Sequence, residues 1–356
     1  MKKTIQATAA TAIVLSLTSL VANAKPLPPL NPDTDPSRTQ WWQLSKSLGT
    51  VPTPPKTTRI GAVAKTLTNE YWRQLGDGYQ AEARKLGVTL QLQAAQSESD
   101  QLGQLAIAQN MLTKGYNALL LSPQTDSNLQ PAVESAKRMS VPVLDVDDAV
   151  FPSAEHFIGN VQRDNGVLVA RWFIKHHPQG GKVAVIEGMA GVFAAKQRTA
   201  GFEQTLKADN GKFQVVASVP GNWSRQKAYE EATTILQQHP DLIGFYANND
   251  DMALGVVQAV KAAGQLGKVA VIGTDGIGEA LKSIHAGQLT ATVDSFPKLT
   301  GEIAVDVALR LLAHQTVPRV IETPQALITK EDFEHYFGSG VNLRDILRKE
   351  GQMETK

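Results

Sequence analysis

The sequence predicts an α/β fold made of two similar lobes, each a doubly wound parallel sheet. Two observations lead to it. Short apolar runs alternate with segments whose apolar residues recur at helical spacing, the pattern of a parallel sheet covered by helices on both faces. The alternation runs from Thr58 to Asn160 and then begins again, so a second βα sheet follows the first and a cleft is expected between them. The 356 residues suffice for two ordinary domains, and 42% hydrophobic with 19% charged residues is a globular balance. A net charge of +1 provides no basic field for nucleic acid. The absence of cysteine removes disulfides, thiolate chemistry and Cys-based metal sites.

The chain opens with an address. Lys2 and Lys3 precede an apolar segment from Ala9 to Val21, and Ala22-Asn23-Ala24 forms an A-x-A cleavage site. Residues 1–24 therefore read as a secretory signal peptide, with an apolar run too short to span a bilayer comfortably. No cysteine follows the site, which excludes a lipid anchor of the bacterial lipoprotein kind. Residues 25–56 form a proline-rich N-terminal extension, expected to be extended or irregular. Its Trp41-Trp42 pair is too apolar to leave in water. Packing on a lobe, a ligand lid and a partner contact all stay open for it.

The elements follow in order. Strands are expected at Arg59–Ala64, Val88–Leu92, Ala118–Leu121 and Val141–Val146, with helices at Glu70–Leu86, Asp100–Lys114 and Leu129–Met139. Gly87 and Gly115 end the first two helices. The second series has strands at Lys182–Glu187, Phe213–Val219, Leu242–Ala247, Val269–Gly273 and Thr290–Ser295. Its helices are Gly166–His177, Ala195–Ala208, Ser224–His239, Met252–Ala263, Gly278–Ala286 and Lys298–Ala313, with a last strand at Gln325–Ile328. Residues 333–356 read as a charged tail that adds little core.

In open α/β sheets ligands bind at the carboxyl ends of the strands. The stretch Pro240–Gly255 is the sharpest example: an apolar strand delivers Asn248, Asn249, Asp250 and Asp251 to its end, where a helix begins. One or two of these cap the helix, and at least one is expected to face a ligand. Other strand ends offer Asn69, Tyr71, Trp72, Asp147, Asp148, Arg198, Trp223 and Asp275. This mixture of rings, amides, carboxylates and an arginine suits a small polyhydroxy ligand. It holds no Ser-His pairing, so no catalytic constellation, metal site or cofactor motif is expected. Gly273-Thr274-Asp275-Gly276-Ile277-Gly278 is not a dinucleotide fingerprint, and the residues before Arg59 are prolines rather than a DNA-binding helix-turn-helix.

The ordered pieces Thr66-Leu67-Thr68-Asn69-Glu70-Tyr71-Trp72, Pro142–Asp147, Arg198-Thr199-Ala200-Gly201-Phe202, Asn249–Gly255 and Gly273–Gly276 carry a resemblance. Over residues 57 to 330 the chain resembles the ribose-binding, type I family of periplasmic sugar-binding proteins that serve ABC transporters. The resemblance implies a non-enzymatic protein of the periplasm that captures a sugar or polyol and delivers it to a transporter permease. It implies a hinge of three segments and closure around the ligand. The first lobe would be 57–160 plus 296–323, the second 161–295 plus 324–332. It implies ligand contacts from Asn69, Tyr71 and Trp72, from Asp147, from Arg198, from Trp223, and from Asn249 and Asp275, with Ser295 on the hinge strand.

Two departures stand out. The family commonly has Arg after the first-lobe Asp, where this chain has Asp148, and often Gln at the hinge, where it has Ser295 after Asp294. A more acidic pocket puts ribose in doubt and admits a polyol, another sugar or an amine-bearing ligand, unless Asp148 simply points to solvent. The alternative role is a periplasmic sensing subunit that signals to a membrane histidine kinase.

Overall fold

The computed structural model describes residues 27–332, so the expected signal peptide and C-terminal tail lie outside the described residues. The first series comprises β1 (Thr39–Gln40), α1 (Leu44–Leu48), β2 (Arg59–Ala64), α2 (Glu70–Leu86), β3 (Thr89–Ala94), α3 (Gln101–Thr113), β4 (Ala118–Leu121), α4 (Gln130–Arg138), β5 (Val143–Val146) and β6 (Phe157–Gly159). The second comprises α5 (Gln162–His176), β7 (Gly181–Glu187), α6 (Phe193–Ala208), β8 (Phe213–Pro220), α7 (Arg225–Gln238), β9 (Leu242–Ala247), α8 (Asp250–Ala262), β10 (Ala270–Asp275), α9 (Gly278–His285) and β11 (Ala291–Asp294). The chain then adds α10 (Pro297–Leu312), β12 (Val320–Glu322) and β13 (Ala326–Thr329).

Two sheets result. One runs β1-β12-β6-β5-β4-β2-β3 and the other β13-β11-β10-β9-β7-β8. All pairings are parallel except β11 with β13. Within each sheet, five consecutive strands follow the doubly wound order 2-1-3-4-5. The two lobes are thus built alike, as the alternation predicted. The chain passes between the sheets three times: from β6 to α5, from β11 to α10, and from β12 to β13.

Local chemistry explains the elements that carry the cleft. Asn69 caps α2 by accepting from the Tyr71 N–H at 2.9 Å, and Gly87 at φ 71° ends it in the left-handed region. The core face of α2 buries Leu75 and Tyr79. Late-arriving α10 packs against α2 at close range: a Cβ on Gly78 would lie 1.9 Å from the Lys298 carbonyl oxygen. Only glycine allows that approach.

Three short strands were not expected. β6 and β12 have three residues each, too few for a period to show. β1 corrects the picture of an irregular extension: Thr39 and Gln40 pair in parallel with Ile321 and Glu322, and α1 follows. The partner is far away in sequence, so no local pattern announces the pairing. The extension also reaches the second lobe, because Asp33 accepts from the Gln162 and Arg163 N–H groups at 3.1 and 3.0 Å, at the start of α5. Trp41 and Trp42 line a groove beside Leu86 of α2 and Ile303 of α10, outside the cleft. Packing on the lobe is therefore their role in this structure.

Candidate functional site

Between the carboxyl edges of the two sheets lies a narrow crevice. Eight of the nine expected residues line it: Asn69, Tyr71, Trp72 and Asp147 from the first lobe, and Arg198, Trp223, Asn249 and Asp275 from the second. Ser295 does not; it is buried where β11 passes into α10, and its Oγ has no hydrogen-bond partner.

The first-lobe wall grows out of the turn after β2. Tyr71 and Trp72 meet edge to face, with centroids 5.1 Å apart. Asp147 follows β5 at φ 75°, a left-handed conformation uncommon outside glycine and adopted most readily by asparagine and aspartate among the rest. Its Oδ1 accepts from Gln162 Nε2 at 3.4 Å, and the Tyr71 hydroxyl lies against the same carboxylate. Burial, reinforced by the neighbouring Asp148 carboxylate and opposed by Arg198, raises the Asp147 pKa to about 6.

The second-lobe wall centres on Arg198 of α6, which is 2% exposed. Its Nε donates to Gln162 Oε1 at 2.8 Å and its Nη1 to the Asn248 carbonyl at 2.7 Å. Nη1 also lies 3.6 Å from Asp275 Oδ1. Burial opposes the charge of Arg198, but Asp275 first, then Asp147 and Asp148, outweighs it and raises the pKa. Burial holds the Asp275 carboxyl well above its usual range. Trp223, at φ 61°, lays its ring over Gly188, where a Cβ would come within 2.1 Å of the indole. Asp147, Trp223 and Asp275 (φ 136°) are all positive-φ residues on the crevice wall, and such strain collects at ligand sites.

The four polar residues after β9 divide their work. Asn249 caps α8 through Oδ1, which accepts from the Met252 N–H at 2.9 Å, and still lines the crevice. Capping and a place on the crevice wall are thus compatible in one side chain. Asn248 braces the turn after β7 by accepting from the Gly188 N–H at 3.0 Å. Asp250 accepts from the Gly276 and Ile277 N–H groups at 2.8 and 3.0 Å and from Thr292 Oγ1 at 2.6 Å. Asp251 pairs with Arg225 at 2.6 Å.

Three wall or support residues complete the site. Asp148 does not point to solvent: it is 7% exposed, lines the crevice and pairs with Lys65 Nζ at 2.5 Å. Lys65, directly after β2, and Glu98, in the loop after β3, were not among the expected residues. Glu98 lines the crevice and accepts from Trp72 Nε1 at 2.9 Å. Applying the strand-end rule to β3, as to its neighbours, would have found it. Burial raises the Glu98 pKa, partly offset by Lys65.

The lobes also touch directly. Glu70 of α2 accepts from the Gly278 and Glu279 N–H groups at the start of α9, at 3.0 and 3.3 Å. The Ala194 N–H donates to the Asp148 carbonyl at 2.9 Å. Among the described residues no group of three or more His, Asp or Glu is arranged to hold a metal ion.

Comparison with known proteins agrees with this geometry. A family model described as a periplasmic binding protein domain matches residues 60–316. The D-ribose/D-allose-binding protein of Pseudomonas aeruginosa is 33% identical over 288 residues, covering 77% of this chain and 90% of that protein. The D-allose-binding periplasmic protein of Escherichia coli is 38% identical over 244 residues, 66% of this chain and 78% of that protein. A crystal structure of an ABC transporter periplasmic solute-binding protein from Actinobacillus succinogenes, with bound D-allose, superposes with a TM-score of 0.75 at 30% identity. It covers 79% of this chain and all of the other. The chain belongs to the periplasmic binding protein family, in its ribose-binding branch, whose members are substrate-binding components of ABC importers and not enzymes.

Proposed function

We propose that this protein captures a small sugar or polyol between its two lobes in the periplasm and hands it to the permease of an ABC importer. The observation that carries the reading is the crevice itself. Both sheets' carboxyl edges contribute to it, two tryptophans offer ring faces, and Asp147, Arg198, Asn249 and Asp275 offer hydroxyl partners. Hydrogen bonds to charged groups contribute roughly 1.5–3 kcal/mol each, so a few of them support the ~8 kcal/mol of micromolar binding. Relatives named for ribose and allose support a small sugar.

Residues 57–160 with 296–323, and 161–295 with 324–332, act as two bodies about the three chain crossings. Export uses the signal peptide at residues 1–24. The test is a thermal-shift screen against D-ribose, D-allose, other pentoses and hexoses, and myo-inositol. A ligand at 100 times its Kd adds ~2.7 kcal/mol of stability, so a true ligand raises Tm by several degrees. A flat response across the whole set overturns the reading.

A further inference from the structure

The two walls of the crevice converge on Gln162, a residue that stands behind them and does not itself line the crevice. It is the first residue of α5, directly after the crossing from β6, and it is fully buried. The chemistry of its neighbours settles which way its amide points. Arg198 Nε can only donate, and it meets Gln162 Oε1 at 2.8 Å. The amide nitrogen then faces the Asp147 carboxylate, which accepts at 3.4 Å. One amide thus holds a second-lobe cation and a first-lobe anion, both of which line the crevice.

Helix packing puts Gln162 there. A Cβ on Gly166 would lie 2.0 Å from the Arg198 carbonyl oxygen, and one on Gly201 would lie 2.1 Å from the Arg163 carbonyl oxygen. Glycine at both positions lets α5 and α6 touch backbone to backbone. Gln162 precedes Gly166 by one turn on the same face of α5, which brings its side chain to the Arg198 guanidinium.

A second contact holds Gln162 from the other side. Its N–H and that of Arg163 donate to the two carboxylate oxygens of Asp33, at 3.1 and 3.0 Å. The opening N–H groups of a helix have no partner within it, so a carboxylate there fixes its first residues. Asp33 belongs to the proline-rich extension, ahead of the residues that the family model matches. That extension is fastened to the first lobe: the Leu30 N–H donates to the Pro152 carbonyl at 2.9 Å, Arg38 pairs with Glu322 at 3.0 Å, and β1 pairs with β12. Asp33 therefore reaches from a first-lobe anchorage to the opening turn of the second lobe.

We infer that Gln162 is a positioning residue that sets Arg198 and Asp147 for the ligand they share, and that Asp33 makes the proline-rich extension part of the same device. This rests on the sugar-binding reading above and adds to it the groups that act behind the ligand contacts. A side chain already held in its bound geometry costs less to order when the ligand arrives. Without the Gln162 amide, Arg198 retains the Asn248 carbonyl and Asp275, but its buried Nε loses its acceptor. Without Asp33, the residue that carries the amide is no longer fixed at its backbone.

The test is titration calorimetry on the full mature chain with D-ribose, D-allose, D-glucose, D-galactose and myo-inositol, the tightest of which is carried through the variants. Gln162→Met keeps the volume, removes both side-chain hydrogen bonds and should weaken binding ~10-fold. A purely structural role would add its effect to that of Arg198→Ala, so a double-mutant cycle separates the two. In an Arg198→Ala background Gln162→Met should cost ~2-fold or less, because the group that Gln162 holds is gone. Asp33→Ala reads the same relay from outside the crevice, and serves alone should Gln162→Met fail to fold. It should weaken binding ~3-fold, while Asp33→Asn, which keeps a capping acceptor, should stay within ~1.5-fold of the wild type. Melting curves show which variants are folded at the temperature of titration. If the wild type binds a sugar and Gln162→Met binds it equally, or the two substitutions add, the positioning inference falls and the sugar-binding reading stands. If Asp33→Ala binds like the wild type, the extension has no part in the device. If the wild type binds no member of the set, the sugar-binding reading falls and takes this inference with it.

Discussion

Asp147 shows at the scale of one residue how a binding site trades against stability. It sits at φ 75°, and burial raises its carboxyl pKa from 3.8 to about 6. A carboxyl whose folded pKa is raised binds more protons in the native state than in the unfolded chain between those two values. Stability then falls as pH rises from about 4 to about 6. Asp147→Asn removes that cost, keeps the shape and tolerates the left-handed backbone. We expect the variant to melt higher than the wild type near pH 7 in the absence of ligand, and to bind ligand far more weakly. Calorimetric melting curves at about pH 4 and about pH 7 check it: the gain should be confined to the higher pH. A variant that melts lower at both pH values would show that Asp147 is a net stabiliser. That Asp147 and Arg198 line the crevice was legible from their positions near strand ends. The Lys65–Asp148 pair was not, because its members lie far apart in sequence and nothing local marks them as partners.

At the scale of elements, helix starts do much of the positioning. Asn69 and Asn249 each open a helix and each line the crevice, so a cap fixes a side chain on the crevice wall. Glu70 extends the same device across the cleft by placing its carboxylate on the N–H groups that open α9. Such a contact is worth about 1 kcal/mol and exists only when the lobes are together. Glu70→Ala should therefore weaken ligand affinity ~5-fold, through faster release, without loss of any ligand contact. Stopped-flow fluorescence of the crevice tryptophans reads the release rate. An unchanged rate would remove Glu70 from closure. The long helices and buried strands were readable because each carries its own period and stop signal, as α2 does with Asn69 and Gly87. β1, β6 and β12 were not, since strands of two or three residues are defined by their neighbours in the sheet and not by their own sequence. The extension illustrates the point: prolines exclude helix locally, while its strand pairing and the Asp33 contact to α5 depend on the folded lobes.

At the scale of the molecule, two sheets of like order and three crossings make a clamp. In this structure Glu70 and the Ala194–Asp148 backbone bond bridge the two lobes beside the crevice. A ligand that contacts both walls is bound more tightly by this form than by an open one, and shifts the population towards it. Small-angle scattering should show the radius of gyration decrease on adding saturating ligand. Identical curves with and without ligand would mean that the crossings do not act as a hinge. The duplication of the lobes was legible because the βα alternation restarts after Asn160; the direct contacts between them are set by tertiary geometry alone.

The claim on which the rest depends is that Arg198 and the facing first-lobe wall grip one small ligand together. Titration calorimetry of wild type and Arg198→Ala with the tightest ligand from the sugar panel tests it most directly, with melting curves to show that the variant folds. The account predicts micromolar, saturable binding in the wild type and at least ~100-fold weaker binding in the variant. Equal affinity in the two proteins would contradict it.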